Sequence, residues 1–196
     1  MIKILVLFTY GISLKRWHET GIIDREVSFY KKISEEKFIT TTFITYGDKR
    51  DLNYEEALNP LKIIPIKKYI SSPSLFLKLL KTFLLPLRLK QIFSEATFIK
   101  TNQIEGWWVS LLAKLLYRKK ILIRAGFDWY KNFLAKSKIS FQKNFLKYII
   151  TRFYVFILEY LALIFSDKII LSNHSDRQFI EKAFKYKDLK KKVEII

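Results

Sequence analysis

Apolar runs alternate with amphipathic segments along the whole chain. Short runs rich in β-branched and aromatic residues predict strands, and segments with an apolar period near 3.6 residues predict helices. The predicted strands are 2–9, 38–45, 62–66, 97–101, 120–124, 168–172 and 192–196. The predicted helices are 21–33, 72–93, 106–117, 141–165 and 175–184. This alternation is typical of βαβ units, so we expect an α/β, Rossmann-like doubly wound parallel sheet.

Prolines and a serine refine the predicted boundaries. Pro65 has no amide hydrogen to donate, which predicts that the third strand is an edge strand or ends there. Pro86 falls inside the predicted helix 72–93 and should kink or break it. Ser175 is a candidate cap for the last helix. No repeat and no linker interrupts the pattern, so residues 1–196 are expected to form a single domain.

Cysteine and histidine usage excludes several chemistries. The chain has no Cys and two His, which excludes disulfides, cysteine zinc sites, thiol catalysis and a His-rich metal site. We therefore expect neither a metal nor a bound cofactor. Segment 148–165 resembles a membrane span, but Arg152 and Glu159 interrupt it and favour a buried apolar helix. With no secretory signal recognised, the expected location is cytoplasmic or peripheral.

The charge balance points to an anionic partner. Lys and Arg number 36 and Asp and Glu 18, which gives a formal charge of +18. Such a surface attracts nucleic acid, an acidic membrane or phosphorylated small molecules. The alternative is a compositional bias toward Lys that has no partner, and the sequence leaves both open.

One basic segment suggests a membrane surface. Residues 57–94 carry seven basic side chains and no acidic one. The helix predicted there would place Lys78, Lys81 and Arg88 on one face among Leu and Phe, with Lys90 also available to lipid headgroups. A core helix with a solvated basic stripe has the same pattern. Because the basic residues lie in or beside helices, sequence-specific nucleic-acid binding is not expected.

Candidate binding residues lie mainly in loops after strands, where open α/β sheets bind ligands. Gly11, with Gly21 at the start of the first predicted helix, could let backbone amides approach a phosphate or could serve a tight turn. Arg25 and Glu26 are adjacent on that helix and should point to different sides, solvated or paired with other elements. The candidate substrate-binding residues are Gly11, Gly21, Arg25, Asn102, Arg124, Gly126, Asp128, Ser172 and His174.

Two of these candidates carry more specific chemistry. Arg124 could hold a phosphate or carboxylate through two parallel hydrogen bonds. His174 could act as a base or contact a sugar, but it could equally cap the following helix. The spacing supports no Ser/His/Asp triad and no pair of carboxylates, so the catalytic group stays unidentified.

An ordered series of short motifs resembles the N-terminal half of bacterial family 4 glycosyltransferases, which belong to the GT-B class. The motifs are 5–11 (LVLFTYG), Trp17, Gly21, Arg25 with Glu26, 45–48 (TYGD), 100–103 (KTNQ), Gly106 with Trp107, 123–126 (IRAG), 166–170 (SDKII) and 192–196 (KVEII). The resemblance implies an acceptor-side Rossmann-like domain of a retaining enzyme. That enzyme would move a sugar from a nucleotide-sugar to a lipid-linked or saccharide acceptor at the cytoplasmic membrane face, in cell-surface polysaccharide synthesis.

The same resemblance implies a second, donor-binding domain with two glutamates separated by seven residues. No such pair of glutamates is present: Glu159 and Asp167 have the same eight-residue offset, but they flank a helix in the wrong place, so their spacing is a coincidence. We therefore expect the donor domain to be supplied in cis or in trans and this chain to be inactive alone. Gly11 would approach the donor diphosphate or acceptor, Arg124, Gly126 and Asp128 would line the acceptor side, and Ser172 would lie near the hinge. The alternative function is a basic α/β module that binds nucleic acid or other phosphate-rich partners.

Overall fold

A computed structural model describes residues 1–125, 129–136, 145–185 and 189–195. The strands are β1 (Ile2–Leu7), β2 (Ile39–Thr45), β3 (Lys62–Pro65), β4 (Phe98–Thr101), β5 (Lys120–Ala125), β6 (Lys168–Leu171) and β7 (Val193–Ile195). The helices are α1 (Leu14–Glu19), α2 (Ile23–Ser34), α3 (Lys67–Ile70), α4 (Leu75–Phe83), α5 (Leu85–Arg88), α6 (Lys90–Glu95), α7 (Trp108–Tyr117), α8 (Trp129–Lys136), α9 (Phe145–Phe165), α10 (His174–Phe184) and α11 (Leu189–Lys192). A 3-10 helix covers Lys49–Tyr54.

The chain forms two compact units. The first contains Met1–Asn102 and Gly106–Ile121, and the second contains Gln103–Glu105 and Leu122–Ile196. The strands pair in parallel within each unit, as the alternation of strands and helices predicts. The predicted α/β, Rossmann-like fold class is therefore confirmed.

The first unit has the strand order β3-β2-β1-β4. Leu5 at the centre of β1 pairs with Thr42 of β2 on one side and with Ile99 of β4 on the other. The chain winds outward from β1 to β3 and then returns to the opposite side of β1. This reversal between β1 and β4 is a topological switch point, where α/β sheets commonly bind ligands.

Aromatic packing holds α1 and α2 against the sheet of the first unit. The Phe8 ring, just after β1, stacks on Trp17 of α1 with centroids 4.0 Å apart. It also lies 5.2 Å from Phe43 of β2, which in turn contacts Tyr30 of α2 at 5.1 Å. All four side chains are buried, so this cluster fixes both helices relative to the strand ends.

The second unit pairs β6 with β5 and with β7. Tyr130 of α8 contacts Phe156 of α9 at 5.3 Å and Phe184 of α10 at 6.0 Å. Phe156 and Phe184 stack at 4.9 Å. These rings join three helices of the unit into one apolar layer.

Helix α9 is long and apolar enough to cross a membrane by length and composition, a test that core helices of soluble proteins also pass. Val155, Glu159, Ala162 and Leu163 are buried, as the sequence predicts. The first half is different, because apolar side chains such as Phe153 are exposed there. The prediction of a buried helix therefore holds only for its second half.

Both prolines have the predicted effect. Pro65 ends β3, which pairs with β2 at the edge of the sheet of the first unit. Pro86 lies in the first turn of α5, where a missing amide hydrogen costs little, and the predicted helix 72–93 is divided into α4, α5 and α6. Lys78 and Lys81 lie on α4 but Arg88 lies on α5, so the expectation of one shared helical face is wrong.

Two local predictions are also corrected. The cap of α10 is Asn173, whose side chain accepts the Asp176 amide, and Ser175 lies inside the helix. Asn173 has the extended backbone that an N-cap requires, which explains the choice. In α2, the Arg25 guanidinium contacts the Glu26 carboxylate at 2.9 Å. The two neighbours therefore form an ion pair, although adjacent side chains leave a helix on different sides.

Candidate functional site

A cavity of about 390 Å³ lies at the carboxyl ends of β1, β2 and β3 in the first unit. Its walls come from the loop after β1, the loop after β2 with the 3-10 helix, the start and end of α3, and Lys78 of α4. The parallel sheet brings these loops to one edge, because parallel strands all end on the same side.

Asp51 ties the walls of this cavity together. Its carboxylate accepts hydrogen bonds from the amides of Leu14 and Lys15 at 3.1 Å each, and from the Thr45 hydroxyl at 2.5 Å. The Ser13 hydroxyl accepts the next amide, so the first turn of α1 is satisfied by side chains. Asp51 is buried, and its negative charge is compensated by the helix N-terminus and these donors.

Gly47 is required by the position of Asp51. A Cβ atom at residue 47 would overlap the Asp51 carboxylate group. Since that carboxylate is held by three hydrogen bonds, it cannot move aside cheaply. Any larger residue at 47 would therefore disturb the whole wall.

Asp48 organises two basic side chains at the cavity. Its carboxylate accepts Nε and Nη2 of Arg50 at 2.9 and 2.7 Å, and Nζ of Lys67 at 3.2 Å. Hydrogen bonds from Arg50, and then from Lys67, hold the pKa of the Asp48 carboxyl below its ordinary value. Asp48 therefore keeps its charge in mild acid and keeps both cations oriented.

Two tyrosines close the apolar side of the cavity. The rings of Tyr10 and Tyr46 meet edge to face with centroids 5.1 Å apart. Burial, and secondarily the neighbouring Tyr10, raises the pKa of the Tyr46 phenol above its ordinary value. Tyr46 is therefore a neutral hydroxyl throughout the physiological range.

The switch point between β1 and β4 is a second candidate surface of the same unit. The Asn102 amide donates to the Leu7 carbonyl at 2.8 Å, which extends the pairing past the end of β4. Gly106 has a φ of +98°, and a Cβ there would lie 3.4 Å from the Phe8 carbonyl oxygen and from the Tyr10 amide. Those are ordinary contact distances, so the positive φ, and not a lack of space, is what favours glycine at this position.

The predicted residues of the first unit occupy different places. Gly11 lines the cavity with a φ of +78°, as a turn requires. Gly21 does not begin a helix: it is the left-handed residue that follows α1, and its amide donates to the His18 carbonyl. Arg25 is exposed on α2, and Asn102 is buried at the switch point. Their predicted roles in binding stay predictions.

The described candidates of the second unit, Arg124, Ser172 and His174, are not among the residues that line this cavity. Arg124 is half-buried within β5, Ser172 is exposed after β6, and His174 is exposed as the first residue of α10. Gly126 and Asp128 lie outside the described residues.

The second unit has a polar cluster that the sequence did not reveal. Asp176, buried in α10, accepts Lys131 Nζ at 2.6 Å and Asn173 Nδ2 at 2.9 Å. Lys131 also donates to the Ser175 hydroxyl at 3.0 Å. The cluster joins α8 to the start of α10, so it lies next to the exposed Ser172 and His174 in the chain.

The four predicted membrane-surface residues also differ from one another. Lys78 lines the cavity. Lys81 donates to the Ser71 carbonyl at 2.7 Å and Arg88 to the Tyr69 carbonyl, so both cross-link the segment after β3. Lys90 is exposed on α6.

Sequence reasoning missed Asp48, Asp51 and Lys67 as parts of the site. The only local signal was the motif at 45–48, a strand end followed by Gly47 and Asp48. Among the residues that the structure describes, no three His, Cys, Asp or Glu side chains group as metal ligands would.

Solved structures with the same fold include two of the Anabaena protein HepE, in complex with UDP and glucose and with UDP-glucose. The first aligns with a TM-score of 0.57 and 12% identity, covering 100% of this chain and 44% of HepE. The second aligns with a TM-score of 0.57 and 13% identity, covering 100% of this chain and 43% of HepE. Sucrose-phosphate synthase from Thermosynechococcus elongatus aligns with a TM-score of 0.59 and 13% identity, covering 100% of this chain and 48% of the synthase.

These proteins are GT-B glycosyltransferases, and at such low identity the likeness establishes the fold. The chain spans less than half the length of each of them. No family model and no curated protein sequence matches the chain.

Proposed function

We propose that the chain is the acceptor-binding half of a retaining glycosyltransferase of the family 4 type. It would serve a reaction that moves a sugar from a nucleotide-sugar to a lipid-linked or saccharide acceptor in cell-surface polysaccharide synthesis. The observation that carries this proposal is the alignment of 100% of the chain with less than half of each GT-B enzyme. The HepE complexes with UDP and with UDP-glucose support a nucleotide-sugar as the donor.

The remainder of the enzyme, with the donor-binding domain, is supplied in cis or in trans. The proposal includes no metal cofactor: basic side chains at the strand ends, Lys67 and Lys78 among them, supply the positive charge that phosphate groups need.

The proposed location is the cytoplasmic face of the membrane, as a peripheral protein. Exposed apolar side chains support this placement, with Leu75 and Phe76 on α4 exposed at 65% and 72%. The formal charge of +18 favours an anionic lipid surface. The exposed first half of α9 adds a second apolar surface in the other unit.

The test is transfer of radiolabelled glucose from UDP-glucose into a bacterial lipid extract. We expect no transfer by the purified chain alone, and transfer when the chain is joined to, or mixed with, a GT-B donor-binding domain. Robust turnover by the chain alone would contradict the assignment as half of an enzyme.

A parallel gel-retardation assay with duplex DNA at low salt separates the alternative. Binding to DNA without transfer in either arrangement would support the basic nucleic-acid module instead. Such binding should weaken steeply with added salt, because phosphate contacts release counterions.

A further inference from the structure

We propose that the cavity of the first unit binds the phosphate or diphosphate group of the acceptor. The inference rests on the proposed function for the identity of the phosphate ester, but the binding of the anion itself follows from the cavity. Its volume of about 390 Å³ leaves room for more than one phosphate group.

The cavity carries excess positive charge. Four basic side chains line it (Lys15, Arg50, Lys67 and Lys78), and two carboxylates do so, Asp48 and Asp51. Four minus two leaves a formal charge of +2. Asp51 is turned toward the α1 amides and Thr45, which reduces its repulsion of an anion in the cavity.

Donor hydrogens remain after the internal contacts are made. Arg50 uses Nε and Nη2 on Asp48, and its Nη1 makes no hydrogen bond with the described residues. Lys67 gives one of its three hydrogens to Asp48. The Lys78 ammonium forms no ion pair with any described side chain. The Lys15 Nζ atom lies 3.6 Å from Oε1 of Glu19.

Asp48 makes this set of donors a built site. By binding both Arg50 and Lys67 it fixes the two cations before a ligand arrives, which lowers the entropy lost on binding. Phosphate oxygens accept several charge-assisted hydrogen bonds at once, so a phosphate group fits cations that converge from α3, α4 and the 3-10 helix.

The surface next to Lys78 distinguishes two sources of the phosphate. On α4, the exposed Leu75, Phe76 and Leu77 flank this lysine in the chain. A phosphate carried by a lipid would bring its hydrocarbon to that face, whereas a soluble phosphate ester would not. Both sources share the phosphate chemistry that the cavity recognises.

The first experiment is calorimetric titration of the full chain with inorganic pyrophosphate at low ionic strength. We expect binding by the wild type and at least a roughly tenfold loss of affinity in the Lys67→Gln/Lys78→Gln double variant. The matched control is Lys32→Gln/Lys37→Gln, which removes the same charge from exposed positions outside the cavity. Thermal unfolding of all three proteins checks that each is folded.

The second experiment measures sedimentation with phosphatidylcholine vesicles that contain phosphatidic acid. A lipid source predicts vesicle binding that the cavity variant loses, that the control keeps and that Phe76→Ser weakens without changing pyrophosphate affinity. A soluble source predicts pyrophosphate binding alone.

Equal losses in the cavity and control variants would overturn the proposal, and so would a wild type that binds neither probe. Neither assay contains a sugar donor, so a failure here is distinguishable from a failure of sugar transfer.

Discussion

A buried carboxylate holds the first turn of a helix in each of the two units, but the two are bonded differently. In the first unit, Asp51 accepts two amides of α1 and one hydroxyl, and uses both of its oxygens. In the second unit, Glu159 of α9 accepts the Tyr130 amide of α8 through Oε2 at 2.8 Å. Their exposures are 1% and 0%.

The two carboxylates therefore differ in role: Asp51 belongs to the candidate site, whereas Glu159 makes a packing contact between helices. Asp51 occupies the helix N-terminus that follows β1, where Rossmann-like folds often bind a phosphate. Because its carboxylate already satisfies those amides, an anion in the first unit is left to the basic side chains beside it. Glu159 instead joins two helices inside the apolar layer of the second unit.

The largest expected effect is that of Asp51→Asn. An asparagine has one acceptor oxygen, so in either orientation its NH₂ group faces a backbone amide that also donates. We expect a loss of about 3 kcal/mol in the free energy of unfolding, measured by urea denaturation. A loss in the free energy of unfolding smaller than that of an ordinary surface substitution would show that Asp51 does not hold the first turn of α1.

A second prediction concerns the coupling of Gly47 to Asp51. Gly47→Ala should destabilise the wild type by about 3 kcal/mol, since its Cβ overlaps the Asp51 carboxylate. In an Asp51→Ala background the obstacle is gone, and the same change should cost less than about 0.5 kcal/mol. Urea midpoints of the four proteins form a double-mutant cycle, and additive effects would contradict the proposed contact.

The corresponding change in the second unit should cost less. Glu159→Gln keeps an oxygen that accepts the Tyr130 amide, so a charged hydrogen bond becomes a neutral one. We expect a loss of about 1 kcal/mol in urea denaturation, smaller than that of Asp51→Asn. A loss as large as that of Asp51→Asn would remove the distinction between the two carboxylates.

Helix α1 and the strands of the sheet show what sequence patterns can and cannot predict. Strands such as β1 and β5 follow from continuous apolar runs, and the alternation gives the parallel fold. Helix α1 was missed because it has six residues and two buried positions, Leu14 and Trp17. Its first turn depends on Asp51, which is 37 residues from Leu14 in the chain, and no local pattern reports such a contact.

The site was predictable to a similar extent. A loop after a buried strand identified Gly11, which does line the cavity. The sequence pattern did not identify Lys67 as a site residue, because the position of its side chain depends on Asp48, 19 residues earlier in the chain. Helix α9 has the composition of a buried helix, but hydropathy does not report which half of it is covered.

A third carboxylate gives the smallest expected effect and sharpens the comparison. Glu105 lies between Asn102 and Gly106 in the chain, and its carboxylate makes no hydrogen bond with the described residues. Burial raises the pKa of the Glu105 carboxyl above its ordinary value. Unlike Asp51, the half-buried Glu105 carboxylate receives no hydrogen bond from the part of the chain that the structure describes.

The sign of the resulting pH dependence follows from that raised pKa. The contribution of Glu105 to stability is complete below its unfolded pKa, about 4.3, and is lost as the pH rises through the higher folded pKa. Glu105→Gln removes this loss, so the variant should unfold at higher urea than the wild type at neutral pH, by less than the Glu159 effect. At pH values below the unfolded pKa, where the wild-type carboxyl is protonated, the two midpoints should converge. A difference that stays constant across the pH series would mean that Glu105 acts through packing and not through its charge.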